Sequence, residues 1–215
     1  MRKYIDKTVL EASIERIEFI FDNFNDVMVS VSSGKDSTVI YNLCLNEAIK
    51  RNRKIKVFFL DQEAEYQSTI DLMRKMMIHP NVIPLWYQVP IYMTNTASSI
   101  DTMLYAWGEG EDWIRPKEDI SIHSIEEDYP KRFYGFFEYL EGKLDNTAFV
   151  IGLRAEESLN RYRAVMNNPG FKDINWSTKT KNKTSFRFHP IYDWGFGDVW
   201  KHIKDNNLEY NNVYD

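Results

Sequence analysis

The sequence predicts an α/β fold: a parallel five-stranded sheet with helices on both faces and an irregular insertion. Apolar, strand-like runs alternate with helical patterns from 27 to 86, the order typical of βαβ units. The first strand also leads directly into a loop of small residues and then into a helix. With 215 residues, 43% of them hydrophobic, the chain can bury one substantial core. We therefore expect a single domain over residues 1–215, with the insertion at about 90–131.

Periodicity predicts the elements of the first half. Thr8 and Glu11 form a capping-box pattern, and the apolar stripe that follows it to Phe21 predicts the first helix. Strands are predicted at 27–31, 55–60 and 82–86, with helices at 37–52 and 67–78 between them. Because crossovers between parallel strands are right-handed, strand 27–31 is expected in the middle of the sheet.

The second half begins with the insertion. Between 90 and 131 the periodicity fails and acidic, aromatic, proline and glycine residues dominate, which indicates a long functional loop or cap. Beyond it we predict a helix at 133–140, a strand at 147–153, a helix at 155–166, a strand at 185–190 and a helix at 198–206.

The loop after the first strand has the features of a phosphate site. Its small residues let the backbone approach a ligand closely, a lysine adds a mobile cation, and the helix that follows points its positive end at an anion. We assign phosphate or nucleotide binding to Ser32, Ser33, Gly34, Lys35, Asp36 and Ser37. The segment has neither the Walker A spacing nor the three glycines of the dinucleotide fingerprint.

Three segments carry a resemblance to a known family. The loop SSGKDS resembles the SGGxDS loop of the ATP pyrophosphatases (the PP-loop) and phosphoadenosine phosphosulfate (PAPS) reductases, although Ser33 stands where that family usually has glycine. IGLRAEESLNR at 151–161 is similar to the family's Gly-x-Arg-x-x-Glu-Ser element, and HPIYDWGFGDVW with YNNVYD near the end is similar to its Pro-Ile-x-x-Trp run. Over nearly its whole length the chain resembles most the IbrA-type PAPS sulfurtransferases.

The resemblance implies a Rossmann-like fold and an adenine-nucleotide site with ATP or PAPS as ligand. It adds Gly152 and Arg154 to the binding residues and implies that Arg154 and Arg161 face the phosphates, with Lys35, Arg154 and Arg161 in catalytic roles. The reductases carry a nucleophilic cysteine beyond the Tyr-Asp that resembles Tyr214 and Asp215, where this sequence stops. Thioredoxin-linked PAPS reduction of the usual kind is therefore not expected.

Two carboxylates are candidates for a metal or a ribose. Asp61 falls at the carboxyl end of the second predicted strand, where a carboxylate can orient a ribose hydroxyl or Mg²⁺; the alternative is an acidic helix start that the helix dipole favours. Asp36 is likewise either a helix-start carboxylate or a metal-facing ligand. We predict Mg²⁺ as a cofactor, held by Asp36 and Asp61 together with substrate phosphates.

No zinc site and no iron–sulfur cluster are expected. The four histidines, His79, His123, His189 and His202, lack the short spacing of zinc ligands, and Cys44 is the one cysteine that could join them. Cys44 lies on the apolar face of the helix after the loop, which indicates a buried core thiol rather than a nucleophile. The nucleophile elbow Gly-x-Ser-x-Gly does not occur.

Charge and hydropathy indicate which kinds of partner and which cellular location to expect. A formal net charge of −5 argues against non-specific coating of nucleic acid, so direct nucleic-acid binding by the chain alone is not expected. The basic cluster Lys179, Lys181, Lys183 and Arg187 is either a solvated loop or a lid that closes over phosphates. The sequence has no signal-peptide pattern and no apolar run long enough for a membrane, so a cytoplasmic protein is expected.

Three functions remain open. The leading one is ATP pyrophosphatase or adenylyl-transfer chemistry at the α-phosphate, with an unknown acceptor, because a cationic site without a covalent nucleophile suits it. The second is binding of PAPS or adenylylsulfate, with sulfur transfer that does not use the usual cysteine. The third comes from the resemblance: a nucleotide-sensing subunit of a DNA-associated regulatory complex with a ParB-like protein partner.

Overall fold

The computed structural model describes residues 6–100, 102–166, 170–182 and 184–215. Within these ranges six strands form one sheet in the order β3-β2-β1-β6-β8-β7. The strands are β1 Asp26–Ser30, β2 Ile55–Leu60, β3 Val82–Tyr87, β6 Thr147–Ile151, β7 Ser177–Lys179 and β8 Phe186–Phe188. A separate two-stranded antiparallel sheet consists of β4 Ile91–Thr94 and β5 Met103–Ala106.

The predicted α/β fold is confirmed, with one more strand than expected. β1, β2, β3, β6 and β8 run parallel, and β1 lies inside the sheet between β2 and β6, as right-handed crossovers require. The additional strand, β7, pairs antiparallel with β8 at the sheet edge. Its three residues, Ser-Thr-Lys, are too few and too polar to give a strand pattern.

Helices cover both faces of this sheet. They are α1 Val9–Asn23, α2 Lys35–Lys50, α3 Gln67–Met77, α4 Phe133–Lys143, α5 Leu159–Met166 and α6 Phe196–Asp205. Side chains of α1, α2, α3 and α6 share one buried cluster with Val27 and Val29, and α4 packs in a second cluster with Met28. Successive residues of β1 therefore point to opposite faces, both of which are buried, as in other parallel sheets.

The helix predicted at 155–166 is interrupted. A short 3-10 turn, Ala155–Glu157, is followed by Ser158 in an extended conformation, and α5 begins at Leu159. The Ser158 hydroxyl accepts a hydrogen bond of 3.2 Å from the Arg161 backbone N–H, which caps the new helix. Serine competes with the helix for backbone donors, so it begins a helix here instead of continuing one.

The segment 90–131 lies outside the six-stranded sheet, where it was predicted. It contributes the β4–β5 hairpin and otherwise irregular chain, and a parallel bridge between Tyr87 and Ile122 joins it to the edge strand β3. Trp107 of this segment is fully buried in the cluster that also contains α4. Across the described ranges, every helix is too short or too polar to cross a membrane.

Candidate functional site

A cleft of about 1140 Å³ opens at the carboxyl ends of β1 and β6. The two strands end together because Ser30 pairs in register with Ile151. The loop 32–37, which we call the phosphate loop, forms one wall through Ser32, Gly34 and the first turn of α2. Ligands of open α/β sheets bind at this edge, where helix N-termini point at them.

The first turn of α2 is ordered by its own side chains. Gly34 is the N-cap residue, and its carbonyl oxygen accepts hydrogen bonds from the hydroxyls of Ser37 at 2.9 Å and Thr38 at 3.0 Å. The Ser37 hydroxyl in turn accepts the Ser32 backbone N–H at 3.2 Å. With these bonds the turn has a fixed shape before any ligand binds.

Ser33 takes the left-handed conformation that a glycine would adopt at no cost. Its φ is 55°, and its side chain is buried, away from the cleft. The Ser33 hydroxyl donates to Thr69 Oγ1 at 3.1 Å and accepts from Asn211 Nδ2 at 2.9 Å, and Asn211 also donates to Thr69 at 2.9 Å. Ser33 stands where the family loop usually has glycine, but its side chain leaves free the space in which a phosphate would lie. The cleft lining includes Ser32 and Gly34 but not Ser33.

Lys35, Asp36 and Arg154 form one ionic chain at the start of α2. Asp36 accepts from Arg154 Nε through Oδ1 and from Lys35 Nζ, at 3.2 Å, through Oδ2. The Arg154 side chain is 4% exposed and also contacts Glu156 and Glu157, so the guanidinium does not face the cleft as expected. Arg154 holds the loop in place, whereas Lys35 lines the cleft.

Gly152 permits a close backbone contact between β6 and α2. A Cβ at this position would lie 2.9 Å from the carbonyl oxygen of Asp36 and 3.1 Å from the backbone nitrogen of Ser37. The end of β6 therefore packs directly on the first turn of α2. A side chain here would push the two apart, since both neighbours are main-chain atoms.

Two of the other cations of the cleft already have carboxylate partners. Arg161 pairs with Glu157, and Arg187 makes a two-point contact with the buried Glu141, which raises the pKa of Arg187. Four basic and three acidic side chains line the cleft. A phosphate in this cleft would be attracted by the helix N-terminus and by replacing a carboxylate in one of these ion pairs, rather than by a large positive field.

The basic cluster of the sequence is divided by the fold. Lys179 and Arg187 face the cleft from the β7–β8 hairpin, whereas Lys181 pairs with Glu138 of α4. Lys183 lies outside the described residues. The described part of the cluster forms a side wall of the cleft rather than a lid.

Aromatic side chains of α4 form another part of the cleft wall. Phe133, Tyr134 and Phe137 of α4 line the cleft, and the Tyr134 side chain is 81% exposed. Phe133 and Tyr134 meet edge to face with ring centroids 5.5 Å apart. Such a wall suits a planar ring system. Trp107 and Trp194, in contrast, are fully buried in the core.

Asp61 is not brought to the cleft. It is fully buried and receives hydrogen bonds from Arg115 Nη2 at 2.5 Å and 2.6 Å, from Trp86 Nε1 at 2.8 Å and from Gln88 Nε2 at 3.0 Å. The Glu63 backbone N–H adds a further bond at 2.8 Å. With its lone pairs occupied, Asp61 anchors the insertion through Arg115, and its assignment to a ribose or to Mg²⁺ is corrected.

The described residues do not fit a magnesium ion held by protein carboxylates. Both oxygens of Asp36 are engaged by Lys35 and Arg154, and those of Asp61 by the insertion. No cluster of three or more potential metal ligands occurs within the described ranges. Cys44 is fully buried, and burial together with the charge of Glu47 raises the pKa of its thiol, which keeps it inert.

Two residues of the cleft were not singled out for the site from the sequence. His189 follows β8 and is 4% exposed, its Nδ1 has no hydrogen-bond partner among the described residues, and burial lowers its pKa to about 4. Tyr214 reaches the phosphate loop from the other end of the chain, and its hydroxyl accepts the Lys35 backbone N–H at 3.4 Å. The motif resemblance included both residues, but only the fold places them beside the loop.

Comparison with known proteins agrees with this geometry. The family model described as "Phosphoadenosine phosphosulfate reductase domain" matches residues 26–215. Protein YbdN of Escherichia coli K12 is 29% identical over 223 residues, which cover 96% of this chain and 54% of YbdN. An adenosine 5'-phosphosulfate reductase of Oceanobacillus iheyensis is 25% identical over 88% of this chain and 66% of its own length. The chain thus spans less than two thirds of either relative.

A solved structure has the same fold. The phosphate complex of PAPS reductase from Candida auris superposes with a TM-score of 0.55 at 14% identity, covering 100% of this chain and 93% of that one. At this identity the similarity concerns the fold: a mostly parallel sheet flanked by helices.

Proposed function

Because the chain belongs to the phosphoadenosine phosphosulfate reductase domain family, we propose that its cleft binds an adenine nucleotide and transfers the adenylyl group of ATP to an acceptor. The observation that carries this proposal is the N-terminus of α2, which opens into the cleft at the centre of the sheet with Lys35 and Arg161 on the walls. A polyphosphate laid on the loop 32–37 meets backbone N–H groups and both cations.

The chemistry is a displacement at the α-phosphate. A nucleophilic atom of the acceptor forms a bond to the α-phosphorus, the bond from that phosphorus to the bridging oxygen breaks, and the electron pair leaves with pyrophosphate. Lys35 and Arg161 stabilise the charge that grows on the leaving group, and the ordered loop holds it in line. Arg154 is a positioning residue: its ion pair with Asp36 holds the first turn of α2 in place.

The state of the single cysteine supports this assignment. Cys44 is packed in the core on α2, so the described cleft wall offers no thiol to attack a sulfonucleotide. The names of the relatives favour a second candidate, in which the same cleft binds adenylylsulfate or PAPS and sulfur passes to a nucleophile that is not Cys44.

Product analysis separates these functions. The protein is incubated with ATP labelled at the α-phosphate and with the small-molecule fraction of a cell extract as the source of acceptor. We expect pyrophosphate together with AMP or an adenylylated product. Lys35→Ala should slow this release, and Cys44→Ser should not.

ADP as the product, or sulfite released from PAPS in a Cys44-dependent way, would contradict the proposal. Tight ATP binding without turnover would favour a nucleotide-sensing subunit, for which a ParB-like partner is the candidate.

A further inference from the structure

The 3-10 turn Asn212–Tyr214 brings a tyrosine hydroxyl to the N-terminus of α2. The Tyr214 hydroxyl lies 3.4 Å from the Lys35 backbone nitrogen, whose N–H it accepts, and 3.5 Å from the point where a Cβ on Gly34 would be. Tyr214 also lines the cleft. The hydroxyl therefore lies beside the backbone donors that would bind an anion.

We propose that the Tyr214 hydroxyl donates a hydrogen bond to the phosphate group bound by the loop 32–37, which makes it a ligand-binding residue of the site. The inference rests on the proposed function, since it requires a phosphate on that loop. A phenol is both donor and acceptor. Its oxygen accepts the Lys35 N–H, so its proton is available to the same anion that this helix end attracts.

The hydroxyl is held in this position by two independent contacts. The Tyr214 ring packs edge to face on Trp200, with centroids 5.5 Å apart. The turn that carries Tyr214 is tied to the loop by Asn211, whose Nδ2 donates to the Ser33 hydroxyl at 2.9 Å and whose backbone carbonyl accepts the Tyr214 N–H at 3.2 Å. The phosphate loop and the turn that carries the hydroxyl are therefore joined by hydrogen bonds, and the ring is held by packing.

Lys35 gives the ring a second role at the site. Its ammonium lies 5.7 Å from the centroid of the Tyr214 ring, near enough for the ring face to attract the cation. Removal of the hydroxyl alone keeps the ring, the Trp200 contact and this attraction. Tyr214→Phe therefore removes only the two hydrogen bonds of the hydroxyl, the one donated to the anion and the one accepted from the Lys35 N–H.

Tyr210 provides the matched control. It lies in the same segment and packs on the same Trp200 edge to face at 5.3 Å, but its hydroxyl bonds Asp215 at 2.7 Å and it does not line the cleft. Tyr210→Phe removes the equivalent hydroxyl from a tyrosine that also packs on Trp200. This hydroxyl does not contact the phosphate loop.

The test is calorimetric titration of the wild type, Tyr214→Phe and Tyr210→Phe with inorganic pyrophosphate and with ATP. We expect Tyr214→Phe to bind both ligands about tenfold more weakly, and Tyr210→Phe to bind them as the wild type does. Unchanged affinity in Tyr214→Phe would overturn the inference, and tighter binding would overturn it too, because the hydroxyl would then compete with the anion. A wild type that binds neither ligand would instead contradict the proposed function.

Discussion

Asn211 donates a 2.9 Å hydrogen bond from Nδ2 to the hydroxyl of Ser33, and both side chains are buried. The two residues are 178 positions apart in the sequence. Their contact links the 3-10 turn after α6 to the phosphate loop at the centre of the sheet. It explains how a serine holds a backbone conformation that favours glycine.

This contact predicts an order of stability for two variants of Ser33. Ser33→Gly removes the hydroxyl but relieves the positive φ, whereas Ser33→Ala removes the hydroxyl and keeps the strained backbone. Ser33→Ala should therefore be less stable than Ser33→Gly by about 1 kcal/mol in urea unfolding. Equal stabilities, or a more stable alanine variant, would mean that the left-handed conformation is not the one the protein adopts.

Gly152 gives a second prediction. In Gly152→Ala the new methyl group would meet main-chain atoms of Asp36 and Ser37, so we expect a loss of about 1–3 kcal/mol of stability and weaker ATP binding. Gly142→Ala is the control, because a Cβ there meets no atom within 4 Å and alanine suits a helix interior. Unfolding and ATP titration of both variants check the prediction; wild-type behaviour of Gly152→Ala would contradict the close packing of β6 on α2.

The ion pairs that Lys35 and Arg154 make with Asp36 predict that replacing one cation has a different effect from replacing the other. Lys35→Ala should change the free energy of unfolding by no more than about 1 kcal/mol and lower ATP affinity at least about tenfold, because the ammonium acts on the ligand. Arg154→Ala should cost more, about 1–3 kcal/mol of stability, because Asp36 loses its buried partner and keeps only Lys35. If Lys35→Ala proved the more destabilising variant, these roles would be reversed.

His189 predicts a pH dependence of stability. Burial lowers the pKa of His189 to about 4 in the folded protein, below the value of about 6.5 in an unfolded chain. The folded state therefore binds fewer protons, and its stability falls as the pH drops from about 6.5 towards 4, by about 3 kcal/mol at pH 4 from this group.

The measurement is urea unfolding of wild type and His189→Phe at pH 7 and pH 4.5, with His189→Gln as a second variant should the first not fold. The variant should lose less stability between the two pH values than the wild type. His202, whose pKa burial also lowers, remains in both proteins and so does not affect the difference. An equal loss in wild type and variant would assign the acid sensitivity to other groups.

The sequence predicted the scaffold and the phosphate loop because their signals are local. Val27, Val29 and the small residues after them lie within one strand, loop and helix, and the fold places them as predicted. Asp61 and Arg154 were misjudged because their partners are distant: Arg115 lies 54 residues from Asp61, and Asp36 lies 118 residues from Arg154. A carboxylate or guanidinium at a strand end has the same sequence pattern whether it faces a ligand or an internal ion pair.

The nucleotide site itself is tested most directly by ATP binding when the phosphate loop is blocked. A Cβ on Gly34 would lie 3.3 Å from the Ser32 hydroxyl oxygen and 3.5 Å from that of Tyr214, so Gly34→Val fills the space where a phosphate would meet the loop. Gly142→Val, at an open position of α4, is the matched control. In calorimetric titrations the wild type and Gly142→Val should bind ATP alike, and Gly34→Val should not bind it measurably. ATP binding by Gly34→Val with wild-type affinity would place the nucleotide elsewhere and contradict the account.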